Sequence, residues 1–169
     1  MEIKARCSDP ARVRAILRSR KARFKGVDHQ RDTYFRVPEG RLKLREGNLE
    51  NALIYYKRAD QKDSKRCDSI LYENPDSSAL KKVLAGALGV LIRVDKKREI
   101  YFIRNAKFHL DRVKGLGSFV EIEIFGARGK SGNGKLRRQC RFYQELLGIR
   151  ATDLVADSYS DQLLRLKRR

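Results

Sequence analysis

The sequence predicts an α+β fold in which about eight antiparallel β-strands close into a barrel around a charged lumen, with helices packed outside. Three observations predict it. Segment after segment alternates charged and apolar residues with period two, which marks strands whose two faces differ. Three amphipathic helical segments lie between the strands and can cover the apolar faces from outside. The opposite faces carry Glu2, Lys4, Arg6, Arg41, Lys43, Arg45, Lys57, Arg98, Asp111, Glu121 and Glu123. A barrel turns these charges inward together, and so many cannot be buried without a ligand, metal and water among them.

The elements follow in chain order. Glu2 to Cys7 alternates from the outset and reads as a strand, and Ser8-Asp9-Pro10 then supplies a cap and a first-turn proline for a helix with Val13, Ile16 and Leu17 as its apolar stripe, fading over 20–23. The β-prone run His29 to Val37 ends at the turn Pro38-Glu39-Gly40, and Arg41 to Arg45 alternates cleanly after it. Ala52 to Arg58 pairs back as a hairpin, with Tyr55 and Lys57 on one side, and Cys67 to Glu73 is a further strand. Asn74-Pro75-Asp76-Ser77 starts a helix that buries Leu80, Val83, Leu84 and Leu88 and stops at Gly89. Two strands, Val90 to Asp95 and Arg98 to Arg104, precede Lys107 to Val113, which pairs through Gly115-Leu116-Gly117 with the strand bearing Glu121 and Glu123. Residues 126–134 read as an exposed loop. Leu136 to Leu147 is a helix with Phe142, Leu146 and Leu147 in the core, residues 158–164 form a short helix, and Lys167-Arg168-Arg169 is a basic end.

The 169 residues suit one domain, residues 1–169, with 40 Lys plus Arg against 21 Asp plus Glu, a net charge of +19. The expected partner is therefore anionic: nucleic acid, a phosphate compound or an acidic surface. No apolar run approaches the ~20 residues of a membrane span, and no charged-then-apolar leader is present, so a cytoplasmic protein with no membrane partner is expected. Cys7, Cys67 and Cys140 lack any paired spacing, which argues against a disulfide framework or zinc site.

Glu121 and Glu123 lie about 7 Å apart on one strand face, at ~3.3 Å rise per residue, so they can share a hard divalent cation or flank a pair. A solvated acidic face is the plain alternative. Many cations beside a few carboxylates is the arrangement a polyphosphate with Mg²⁺ or Mn²⁺ requires, because guanidinium and ammonium groups grip phosphate oxygens while carboxylates grip the metal.

At these residues the chain resembles the CYTH superfamily of triphosphate tunnel metalloenzymes, most closely its class IV adenylate cyclase-like branch. That family opens Glu-x-Glu-x-Lys, and Glu2-Ile3-Lys4 matches its second Glu and its Lys. Arg41 to Glu46, Tyr55-Tyr56-Lys57, Lys96 to Phe102, His109-Leu110-Asp111 and Glu121-Ile122-Glu123 resemble its later motifs in order. Residues 29–35, 115–121 and 158–164 are similar to the cyclase-like branch. The resemblance implies that Glu2, Asp111, Glu121 and Glu123 hold Mg²⁺ or Mn²⁺. It also implies that Lys4, Arg6, Arg41, Lys43, Arg45, Lys57, Lys96 and Arg98 grip a nucleoside triphosphate or inorganic polyphosphate, with Glu121, Glu123 and Lys57 catalytic. The implied activity is conversion of ATP to cyclic AMP and pyrophosphate. The alternatives are hydrolysis of tripolyphosphate or thiamine triphosphate, or a non-catalytic module binding polyphosphate or RNA. A homodimer is implied by analogy alone. Among single residues, Arg6 and Arg41 have a second reading as mouth residues and Asp111 as the orienter of a basic neighbour, while His109 reads as a satisfied barrel histidine ahead of a general base.

Overall fold

The computed structural model describes residues 1–58, 67–73, 77–126 and 133–168. Eight strands form one antiparallel sheet: β1 (Glu2–Arg6), β2 (Arg23–Phe35), β3 (Arg41–Glu46), β4 (Ala52–Arg58), β5 (Cys67–Glu73), β6 (Val90–Ile103), β7 (Ala106–Val113) and β8 (Gly117–Ile124), in the order β1-β8-β7-β6-β2-β3-β4-β5. The edge strands are β1 and β5, and no ladder joins them among the described residues. Four helices accompany the sheet: α1 (Pro10–Ser19), α2 (Ser78–Leu88), α3 (Asn133–Leu146) and α4 (Tyr159–Lys167).

The alternation does what the period requires. Ile3 and Ala5 of β1, Phe108 and Leu110 of β7, and Val120, Ile122 and Ile124 of β8 pack on the sheet's outer face against Val13 and Leu17 of α1, Cys140 and Tyr143 of α3, and Leu147 just past its end. Each Val, Leu, Ile or Phe side chain among them contributes roughly 1.5–3 kcal/mol on burial. The Asp9 carboxylate caps α1 by accepting from the Arg12 amide at 3.0 Å, an interaction of about 1 kcal/mol. The tight β7–β8 turn uses Gly115 and Gly117 at φ 82° and 93°, left-handed positions that disfavour any other residue.

A second apolar cluster lies on the charged side of the strands. Tyr34, Tyr56, Ile92, Val94, Val113 and Phe119 gather around Tyr159 at the start of α4, with Leu163 and Leu164 behind. Helix α4 therefore closes the inner side of the sheet, a departure from the expectation that every helix packs outside. Its first turn is fixed by a capping box between Ser158 and Asp161.

Other expectations are corrected. β2 begins at Arg23, six residues before the expected strand, because a register shift between Phe24 and Gly26, at φ 144°, lets a polar segment keep pairing with β6. The two strands expected over 90–104 are one, β6, since Lys96 and Lys97 continue the ladder opposite Gln30 and His29. Helix α2 buries no residue fully, and Val83 is exposed. Phe142 is 54% exposed, its core place on α3 taken by Tyr143 and Cys140. The expected helix start at 74–76, most of the loop at 126–134 and the last residue of the basic end lie outside the described residues.

Candidate functional site

The inward face of the sheet encloses a cavity of about 810 Å³ lined by residues from all eight strands and by Ser158 and Tyr159. Strand register stacks its charged side chains in rows. Glu2 pairs with Glu123 across β1 and β8, and Glu123 with Lys107 across β8 and β7. One row deeper, Lys4, Glu121 and His109 are neighbours. Beyond them Asp111 faces Phe119 and Arg98. The apolar cluster under α4 then seals that end.

The carboxylate row is dense. Glu121 receives Lys4 Nζ at 3.0 Å and Arg98 Nη2 at 2.6 Å, and His109 Nδ1 stands 3.3 Å from Glu121 and 3.7 Å from Glu123. Burial pushes the Glu121 carboxyl up, but Lys4 and Arg98 pull it further the other way, holding it well below the usual range. Glu121 is therefore ionised at any ordinary pH. Burial, reinforced by Arg98, lowers the His109 pKa, so its imidazole is neutral near pH 7 with a lone pair to give.

A hard cation fits here. One ligand atom from each of His109, Glu121 and Glu123 lies within 4.8 Å of the others. His109 Nε2 is buried with no hydrogen-bond partner. Carboxylate oxygens suit Mg²⁺ and Mn²⁺, and an imidazole in the set favours Mn²⁺ of the two.

The opposite wall is organised around one acid. Asp32 of β2 accepts from Lys43 at 3.1 Å, Arg45 at 2.9 and 3.0 Å, and Lys96 at 2.7 Å, all within the buried wall. Burial raises the Asp32 carboxyl, but Arg45, Lys43 and Lys96 together drive it well below its usual range. Three cations on one carboxylate leave a local excess of positive charge. The strain falls on Lys96, which burial lowers to about 7, Asp32 only partly opposing it and Arg45, Arg98 and Lys43 adding to it. Glu50 links the two walls, reaching Lys107 at 2.9 Å and Arg45 and Gln30 at 3.2 Å. Burial would raise its carboxyl, yet Lys107 and Arg45 hold it at about 2.

Of the residues singled out from sequence, the structure brings Glu2, Lys4, Lys43, Arg45, Lys96, Arg98, Glu121 and Glu123 to the cavity lining. Four others go elsewhere. Lys57 points outward, 58% exposed and bonded to Glu39 at 2.5 Å, because Ala52, Ile54 and Tyr56 are the inward residues of β4. Arg41 is held by Asp161 of α4 at 2.8 Å. Arg6 is exposed over the Phe119 ring and bonds the Leu116 carbonyl at 3.4 Å. Asp111 lies behind the lining, clasped by both Arg98 nitrogens at 2.6 and 2.5 Å and by the Tyr159 hydroxyl at 2.8 Å. Sequence reasoning missed Asp32, Glu50, Lys107 and Tyr159, and ranked His109 as structural. Period two was a sufficient signal for Asp32, which shares a face with Gln30 and Tyr34, and for Lys107, which shares one with His109. Nothing local marks Glu50 or Tyr159.

The profile of the CYTH domain matches residues 1–159. Solved structures with the same fold include the PH1012 protein of Pyrococcus horikoshii, at TM-score 0.85 and 23% identity, covering 95% of this chain and 97% of that one. A putative adenylate cyclase of Vibrio parahaemolyticus aligns at TM-score 0.75 and 19% identity over 97% of both chains. A Hippeastrum protein described as a putative adenylyl cyclase with a dominant triphosphatase activity aligns at 0.65 and 12%, covering 99% of this chain and 95% of its own. At these identities the likeness shows the fold. No match was found among curated proteins.

Proposed function

The chain belongs to the CYTH domain family, and from that premise we propose a metal-dependent enzyme that holds a triphosphate in its cavity and catalyses displacement at phosphorus. The observation that carries this reading is the division of one cavity into a carboxylate row with a neutral imidazole and a cation cluster on a single aspartate. In this reading the eight strands complete a tunnel wall. Lys4, Lys43, Arg45, Lys96 and Arg98 supply the positive charge that meets the phosphate oxygens, Arg45 and Arg98 through the guanidinium N–H groups not already on Asp32, Glu50, Asp111 and Glu121. Glu2, Glu121, Glu123 and His109 hold Mg²⁺ or Mn²⁺. The cation supplies charge neutralisation and polarises a phosphoryl oxygen. Lys4 and Arg98, already on Glu121, keep that carboxylate aimed, and Tyr159 with its apolar neighbours excludes water from the sealed end. Catalysis is then positioning plus electrostatic stabilisation.

Cyclisation of ATP is the first reading, supported by the class IV-like motifs in the sequence. Hydrolysis is the second, favoured by a specific observation. The aromatic residues deep in the cavity are engaged by the protein itself: Lys43 lies over the Tyr34 and Tyr56 rings, and Lys4 over the Tyr159 ring, whose hydroxyl donates to Asp111. No deep aromatic face is set aside for a nucleobase among the described residues. Incubation with ATP or tripolyphosphate and Mg²⁺ or Mn²⁺, followed by chromatography, separates the readings. Cyclic AMP with pyrophosphate supports cyclisation, and orthophosphate from tripolyphosphate supports hydrolysis. Absence of any Glu123-dependent product from either refutes both.

A further inference from the structure

The cavity does not account for the charge of this protein. Seven cationic and six anionic side chains line it, so nearly all of the +19 excess lies elsewhere. Much of it sits on one outer face. Helices α1 and α3 share the outer core cluster, and the Arg12 guanidinium of α1 comes within 3.2 Å of where a side chain at Gly148, just past α3, would begin. The exposed arginines of this helix pair and its ends include Arg12, Arg18, Arg20, Arg137, Arg138 and Arg141. None of the six has a carboxylate within 4.0 Å among the described residues, whereas Arg14, on the same helix, is paired with Glu99 at 2.7 Å.

Local stability does not explain the pattern. Asp9 caps α1, but neither helix carries an acidic residue in its first turn, so Arg12, Arg137 and Arg138 find no acidic neighbour on the N-terminal halves of α1 and α3 to offset their charge. Such an arrangement is improved by a bound polyanion. The predominance of arginine over lysine suits bidentate contact with phosphate oxygens. Phe142, 54% exposed, presents a ring on α3 beside Arg141 and one turn beyond Arg138. An exposed aromatic ring among arginines is a stacking platform for an unpaired base.

We propose that the outer face of α1 and α3 binds single-stranded nucleic acid, with its arginines on the phosphates and Phe142 stacked on a base, independently of the cavity. A 20-mer oligothymidylate labelled at its 5′ end, titrated with the full chain by fluorescence anisotropy from 50 to 300 mM salt, tests this. Contact with about four phosphates gives a log–log salt slope near −3, at roughly −0.7 per phosphate on a single strand. The triple exchange Arg137→Glu, Arg138→Glu and Arg141→Glu should weaken binding at least tenfold at 100 mM salt and flatten the slope. Phe142→Ala should weaken it about tenfold, within the range for one stacked base, while leaving the slope unchanged. Both variants alter exposed positions and should turn over triphosphate as the parent does. Unaltered oligonucleotide binding by the triple variant overturns the proposal, as does loss of binding in a Lys43→Met variant whose melting temperature matches the parent's, which would place the site in the cavity. Tighter arginine-dependent binding to duplex DNA or to phosphatidylserine vesicles overturns it in favour of a duplex or membrane partner.

Discussion

The carboxylate row and the Asp32 cluster face each other across one cavity and solve opposite electrostatic problems. In the first, Glu121 and Glu123 converge on a neutral imidazole and, with Glu2 opposite Glu123 and Asp111 behind, outnumber Lys4 and Arg98, so negative charge is in excess and Glu123 stays 28% exposed. In the second, one buried acid holds three cations, only one of which also meets Glu50, and positive charge is in excess. Neither end is neutral alone, and their proximity within one sheet is what makes both tolerable. The lesson is that complementary imbalances, separated by a few strands, make a site for a bound pair of opposite charge.

Breaking the carboxylate row should have the largest effect. Glu123→Ala is expected to reduce triphosphate turnover about 100- to 1,000-fold, the several kcal/mol a bound metal supplies at the transition state. Metal-free binding of tripolyphosphate, read by calorimetry in EDTA, should stay within about threefold.

Breaking the other end should act first on the fold. Asp32→Asn removes the carboxylate that Lys43, Arg45 and Lys96 share, leaving only Glu50 beside Arg45, and losing one partner of a buried pair costs about 3–5 kcal/mol. Urea titration should show that loss. If phosphate replaces the missing carboxylate, 1 mM tripolyphosphate should raise the melting temperature of this variant more than that of the parent; an equal rise would separate Asp32 from phosphate binding.

A smaller effect sharpens the contrast through pH. Burial places Lys96 at about 7 in the folded protein, below its unfolded value of ~10.4. The unfolded chain thus binds the extra proton between these values, so Lys96 contributes stability that rises with pH from about 7 to about 10. Binding runs the other way. Above pH 7 a polyanion must recruit the Lys96 proton, so tripolyphosphate affinity should fall from pH 6.5 to 8.5 with measurable proton uptake, and Lys96→Arg, which stays charged, should flatten the profile. The smallest effect belongs to Lys57→Ala, which should change KM and kcat by less than twofold because Lys57 faces solvent.

Much of this was legible in alternation. Arg41-Leu42-Lys43-Leu44-Arg45 and Val120 to Ile124 fix their own faces, and once those faces are assigned the sheet's charged interior follows. Lys57 shows the limit. On β4 both faces carry polar or aromatic residues, and a period-two pattern cannot say which of Tyr56 and Lys57 turns inward; pairing with β3 and β5 decides it. Lys96-Lys97 looked like a break between strands because its charges have no local partner, and the partner is Asp32, 64 residues away. Asp111 carried the right chemistry for a metal, but Arg98, its cross-strand neighbour, and Tyr159, 48 residues further on, claim both its oxygens.

The division of labour across the cavity is tested most directly by titrating Mn²⁺ into the metal-free protein and following its electron paramagnetic resonance signal, with and without tripolyphosphate. Stoichiometric loss of the free Mn²⁺ signal is expected in the parent and in Lys43→Met. That loss should be abolished in Glu123→Ala, while tripolyphosphate binding is weakened in Lys43→Met alone. Mn²⁺ binding that survives Glu123→Ala, or that disappears with Lys43→Met, would contradict the assignment of metal and phosphate to opposite walls.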